Sequence, residues 1–222
     1  MIFYDFDVFA PSPWIAWMFI REKGLEPERR EIALLSRDNR REDFVRNVNP
    51  LGELPAIVLE DGTAICEIVA ICEYIEDTHP EPPLIGATPL ERAETRMWVR
   101  RIDQNIAMPM GEGFIAEDGA EFFEADRKAG DLLTKIVLPR EAGPVLKHKA
   151  NEKMLWIDGM LKDREWVCGD RFSLADIYLH CFLQFGENHG QPIPAGAPWL
   201  QDFFRRMKSR PTAWHGEPGS LE

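Results

Sequence analysis

Two short stretches of this 222-residue chain carry groups that could hold a small peptide. In "NPLGELPAIVLEDGTAICEIV", Asn49 to Val69, Pro55 stands at the start of an apolar, strand-like run. A proline has no N–H to give a sheet ladder, and a cis Leu54–Pro55 bond would bend the chain so that the Leu54 N–H and C=O lie unpaired at the sheet edge. An extended, peptide-like ligand can take up such groups as an added strand. Glu67 and Ile68 come next, where a strand gives way to a helix whose first N–H groups attract an anion such as a carboxylate. The combination suits a small peptide with a terminal carboxylate, although a plain hairpin opened by a proline accounts for the same residues. The second stretch, "FAPSPW", places Ser12 before Pro13 at a helix start, which is an N-cap arrangement.

The surrounding elements must position these groups. "MIFYDFDVF" reads as a strand, and "SPWIAWMFIREKG" as a helix capped by Ser12 and ended by Gly24. "ERREIALL" fits a second strand, "REDFVRNVN" a short helix and "PAIVLE" a third strand. Asp61–Gly62 is a two-residue hairpin signal, so "TAICE" returns antiparallel as the fourth strand. "IVAICEYIEDTHP" then forms a helix with Ile68, Ile71, Cys72 and Ile75 on one face, stopped by Pro80. Beyond the proline-rich "PEPPLIGATP" only helical patterns follow, among them "LERAETRMWVRRIDQNIAMPM" and "SLADIYLHCFLQFGEN". The reading is an α/β domain over 1–80, a linker over 81–90 and an all-helical domain over 91–222.

Composition narrows the partners. Hydrophobic residues make up 45% and charged residues 29%, as in a folded globular protein, and a formal net charge of -12 opposes nucleic acid and anionic lipid alike. Asp5 and Asp7 stand where a secretory signal needs positive charge, and no apolar run reaches the roughly 18 residues of a membrane span, so a cytoplasmic location is expected. Cys66, Cys72, Cys168 and Cys181 show no C-x-x-C spacing and read as reduced, mostly buried thiols. The five histidines have no ligand spacing, and no metal is expected. Ser173 and Asp176 in "SLAD" fit a capping box, with a role in folding rather than chemistry.

The order βαβ, ββα and then helices, with "NPLGELP", "CEIVAICEYIED" and "SLADIYL" at their places in it, resembles the cytosolic glutathione S-transferases over essentially the whole chain. The resemblance implies a thioredoxin-like, glutathione-binding first domain, a helical second domain that receives a small hydrophobic electrophile, and a homodimer. It assigns the cysteinyl part of glutathione to Leu54 and Pro55, and the γ-glutamyl end to Glu67 and Ile68. Ile68 departs from the family's serine but keeps its N–H. The serine of some classes falls on Ala10, which has no functional group, while Ser12 occupies the position where others carry cysteine and becomes the catalytic candidate. Met108, Met110 and Phe114 in "IAMPMGEGF" are candidates for an adaptable apolar pocket, with helix packing the competing reading. The leading expectation is conjugation of the glutathione thiolate to a hydrophobic electrophile. Its alternatives are glutathione-dependent ether cleavage or disulfide reduction, and a non-catalytic dimeric binding module on the same scaffold.

Overall fold

The structure, a computed structural model, describes residues 1–123 and 138–213. Strands β1 (Ile2–Phe6), β2 (Glu28–Ile32), β3 (Ala56–Val58) and β4 (Ala64–Cys66) form one sheet in the order β2-β1-β3-β4. β1 and β2 are parallel, which requires a crossover, and α1 (Pro11–Glu22) supplies it. The other two pairings are antiparallel. The β3–β4 connection is longer than the two residues expected. Gly62 N–H bonds to the Leu59 carbonyl and Leu59 N–H to the Thr63 carbonyl, so Glu60, Asp61 and Gly62 form the loop. Gly62 takes φ 87, the left-handed position that closes a three-residue hairpin.

Alternation along β1 divides the first unit's core. Phe3 faces α1, where it stacks on Trp17, and α1 packs beside α3 (Ile68–Thr78), burying Ile15, Met18 and Phe19 with Ile71, Cys72 and Ile75. On the opposite face Tyr4 and Phe6 join Phe44 of α2 (Glu42–Asn47), Val48, Leu54 and Ala56. α1 ends as Gly24 had suggested: with φ 70 there, Gly24 N–H bonds to Arg21 and Leu25 N–H to Ile20, satisfying two last-turn carbonyls. One feature had no signal in the sequence. Lys23 and Glu76 form an ion pair of 2.5 Å at 0% and 2% side-chain exposure. Glu76 also accepts the N–H groups of Leu84, Ile85 and Gly86, and Lys23 donates to the Pro80 and Pro82 carbonyls, so the pair fastens the proline-rich connector.

The described chain falls into two compact units, one of Met1–Ala93 with the described residues from Met207 onward, the other within Glu94–Arg206. The remaining long helices are α4 (Pro89–Ile102), α5 (Met108–Ala116), α6 (Ala142–Leu161), α7 (Leu174–Asn188) and α8 (Pro198–Lys208). The run from α4 to α5 is continuous but passes through a π-helical turn, Asp103–Ala107, in which Met108 N–H reaches back five residues to Asp103. Pro109 explains the wider turn: it has no N–H to offer, and its ring would press on the carbonyl one α-turn earlier. α5 and α6 approach closely through two glycines. A Cβ on Gly143 would stand 2.7 Å from the Glu117 Cβ, and one on Gly113 would stand 3.0 Å from Lys147. Ser173 caps α7 with Asp176 in reciprocal hydrogen bonds, the expected capping box. No helix among the described residues is long and apolar enough to cross a membrane.

Candidate active site

Three features of the first unit share one end of the sheet. β1 leaves toward α1 there, β3 enters after Pro55, and β4 leaves into α3. Tyr4 pairs with Ala56 and Ala56 with Cys66, so Leu54 lies two residues before the position where β3 meets both neighbours, and Glu67 and Ile68 follow Cys66 directly.

At α1 the structure corrects the capping of the helix. Ala10, with φ -137 and ψ 130, is the N-cap and makes no side-chain cap bond, while Ser12 is already the second helical residue. Pro11 is the cause, because a proline drives the residue before it into the extended region and has the φ a helix needs. This placement concentrates the open donors. Pro11 and Pro13 have no N–H, and Trp14 N–H bonds to the Ala10 carbonyl, so Ser12 holds the remaining first-turn N–H. Its half-buried hydroxyl has no hydrogen-bond partner among the described residues. Two donors on one residue, at the positive end of a helix dipole, can favour an anion such as a thiolate.

The Leu54–Pro55 peptide is cis. Leu54 lies outside the ladder, 7% exposed, and its backbone makes no hydrogen bond among the described residues. Directly after β4, Glu67 is the N-cap of α3 with φ 71 and ψ 130, again without a side-chain cap. A non-glycine residue at that φ costs on the order of 1–3 kcal/mol, and such positions concentrate where chains clamp ligands. The first helical N–H to find a carbonyl is that of Ile71, on Glu67, so the N–H groups of Ile68, Val69 and Ala70 lead the helix open. The Glu67 carboxylate is exposed beside them. β3 is an interior strand, so the groups expected at a sheet edge lie instead at its open end, and this open backbone, the open helix-start donors and the carboxylate can bind a short peptide that carries both a carboxylate and an ammonium.

Cys66 precedes Glu67 but is poorly suited to thiol chemistry. Its half-buried Sγ donates to the Val48 carbonyl at 3.4 Å, and burial together with the Glu67 charge pushes the thiol up. The other three cysteines are buried and form no disulfide. Among the described residues no group of three His, Cys, Asp or Glu is arranged to hold a metal ion.

The apolar candidates of the second unit separate. Met108 is 45% exposed, whereas Met110 is 1% exposed with its thioether filling the space over Gly186. Phe114 packs edge-on against Phe185 and beside His189. Asp103 accepts from the Tyr178 hydroxyl at 2.8 Å and pairs with Arg100. Sequence reasoning missed Asn39 and Arg40, which contact the loop before Leu54. They lie in "SRDNRR", a polar run without periodicity, and only their partners reveal a role.

Residues 9–78 match the family described as glutathione S-transferase, N-terminal domain, and residues 141–211 match glutathione S-transferase, C-terminal domain. The chain belongs to the glutathione S-transferase family. Glutathione S-transferase GstA of Escherichia coli O157:H7 is 28% identical over 193 residues, covering 86% of each chain. Protein LigF of Sphingobium sp. is 39% identical over 219 aligned positions, covering 86% of this chain and 82% of LigF. Gtt2 of Saccharomyces cerevisiae superposes with a TM-score of 0.82 at 29% identity, covering 96% of this chain and 98% of Gtt2. The thioredoxin-like first part and mostly helical remainder of the glutathione S-transferases are therefore the fold of this chain.

Proposed function

We propose that this family member is a glutathione transferase that joins the glutathione thiolate to a small hydrophobic electrophile. The observation that carries the reading is the open Leu54 backbone, after which the chain turns at a cis proline, at the same end of the sheet as the uncapped start of α3. Leu54 and Pro55 receive the cysteinyl backbone. Glu67 takes the γ-glutamyl ammonium, and the Ile68 N–H takes its carboxylate. The Ser12 hydroxyl and N–H hold the sulfur as thiolate. A sulfur lone pair then forms the C–S bond, and the leaving group departs with its bonding pair. Met108, Met110 and Phe114 are assigned to the electrophile's side, although Met110 is buried against Gly186 and Phe114 packs against Phe185. The domains are taken as 1–80 and 91–222 joined by 81–90, and the protein as a cytoplasmic homodimer. Leu90 and Met97, seven residues apart on α4 and both exposed, supply apolar surface for a second copy.

The similarity to LigF favours a second reading. The crystal structure of the beta-etherase LigF superposes with a TM-score of 0.80 at 22% identity. Ether cleavage uses the same attack on an electrophilic carbon, with an alkoxide or aryloxide as the leaving group. Disulfide reduction through a protein thiol is disfavoured, because the cysteine nearest the site is held protonated.

Calorimetric titration with glutathione tests the reading directly, and absence of binding overturns it. Ser12→Ala is expected to leave stability within about 0.5 kcal/mol, since Ser12 is not the N-cap. The bound thiol should instead titrate at higher pH, seen in thiolate absorbance. An unmoved titration with glutathione still bound would assign the sulfur to backbone donors alone. Ile68→Ser places a hydroxyl beside the Glu67 subsite and should tighten binding by about 1 kcal/mol. Unchanged or weaker affinity would mean that the γ-glutamyl end lies elsewhere.

A further inference from the structure

The backbone that precedes Leu54 is held carbonyl by carbonyl. Arg40 Nη1 donates to the Leu51 carbonyl at 2.7 Å, Asn39 Nδ2 to the Gly52 carbonyl at 2.7 Å and Asn49 Nδ2 to the Glu53 carbonyl at 2.8 Å. The Asn49 Oδ1 also accepts the Leu51 N–H at 3.0 Å, and the Asn49 carbonyl accepts the Gly52 N–H at 2.8 Å. Gly52 sits at φ 59 so close to its neighbours that a Cβ would stand 2.7 Å from the Asn39 carbonyl oxygen. Three successive carbonyls thus have side-chain donors, and the next one, on Leu54, has no partner among the described residues. Asn39 and Asn49 are 6% and 3% exposed, and the Asn39–Gly52 bond is buried and so shielded from competing water, whereas the Arg40 bond is exposed.

We infer that Asn39, with Arg40 and Asn49, is a positioning residue for the peptide ligand: the side chains fix residues 51–53 so that the Leu54 N–H and C=O are presented already oriented. The inference rests on the glutathione reading for the identity of the ligand but not for the order of the loop. Pre-organisation of this kind raises affinity by sparing the ligand the ordering cost of the loop. It should leave the sulfur chemistry alone, because none of the three donors contacts Ser12.

The test compares the wild-type protein with Asn39→Ala, and with Arg40→Ala, which removes the donor to the Leu51 carbonyl, should the first fold poorly. Amide hydrogen exchange in the free protein should accelerate about tenfold or more at Leu51 and Gly52 in the variants while β1 and α1 keep their protection. Glutathione affinity should fall about tenfold by calorimetry, with the titration of the bound thiol unchanged. Unchanged exchange at Leu51 and Gly52 overturns the clamp. Faster exchange with unchanged affinity overturns the positioning role. A shifted thiol titration would also overturn it, since Asn39 would then act on the sulfur. If the wild-type protein binds no glutathione, the functional reading fails, and the exchange measurement still decides the clamp by itself.

Discussion

Replacing Glu76 by alanine is expected to remove about 3–5 kcal/mol of stability, measured by urea unfolding, because the change strands a fully buried Lys23 ammonium. The loss does not stop at the ion pair. Leu84, Ile85 and Gly86 would each lose the acceptor for a buried N–H, and each unpaired donor carries its own desolvation cost. Lys23→Met should also destabilise, since Glu76 would lose its counter-charge and the Pro80 and Pro82 carbonyls their donor. Combining the two should cost less than the sum, with coupling of about 0.5–3 kcal/mol, because the second change removes a charge the first left unpaired. A loss below about 1 kcal/mol for Glu76→Ala would show that the connector is held by apolar packing alone.

The second large effect depends on pH. Asp176 accepts the Val167 N–H at 2.8 Å, the Ser173 N–H at 2.9 Å and the Ser173 hydroxyl at 2.9 Å. Complete burial outweighs those donors and pushes the carboxyl up from 3.8 to about 7. The native state therefore keeps a proton that the unfolded chain gives up near pH 4. The group favours folding most below that pH, and its contribution declines as pH rises toward 7 and is level above. Relative to Asp176→Asn, whose amide does not titrate, wild-type stability should fall by on the order of 4 kcal/mol between pH 4 and pH 7. Chemical unfolding of both proteins across that range measures it. A difference independent of pH would mean that the three donors hold Asp176 ionised throughout.

Much of this molecule could be read in its sequence where a local rule has few solutions. Pro55 at the head of an apolar run and Gly24 after a helix restrict the backbone by themselves, and "SLAD" names both halves of a capping box three residues apart. Ser12 was harder, because "APSP" offers two prolines and therefore two helix starts. Pro11 decided it by forcing Ala10 into the extended region, and the hydroxyl moved from cap to open donor. The hairpin at Asp61–Gly62 was recognised, but its length depended on how β3 and β4 meet.

By itself the sequence determined the order of the elements and the position of the proline step before β3, since these follow from periodicity and from residues that restrict their own dihedrals, and the motifs in that order carried the family resemblance. Tertiary structure alone decided which distant polar groups meet. Lys23 finds Glu76 and Asn39 finds Gly52 across 53 and 13 residues of chain. Neither pair has a spacing rule, because a buried ion pair or amide contact is selected by the shape of the core that encloses it and by the cost of leaving either partner unsatisfied.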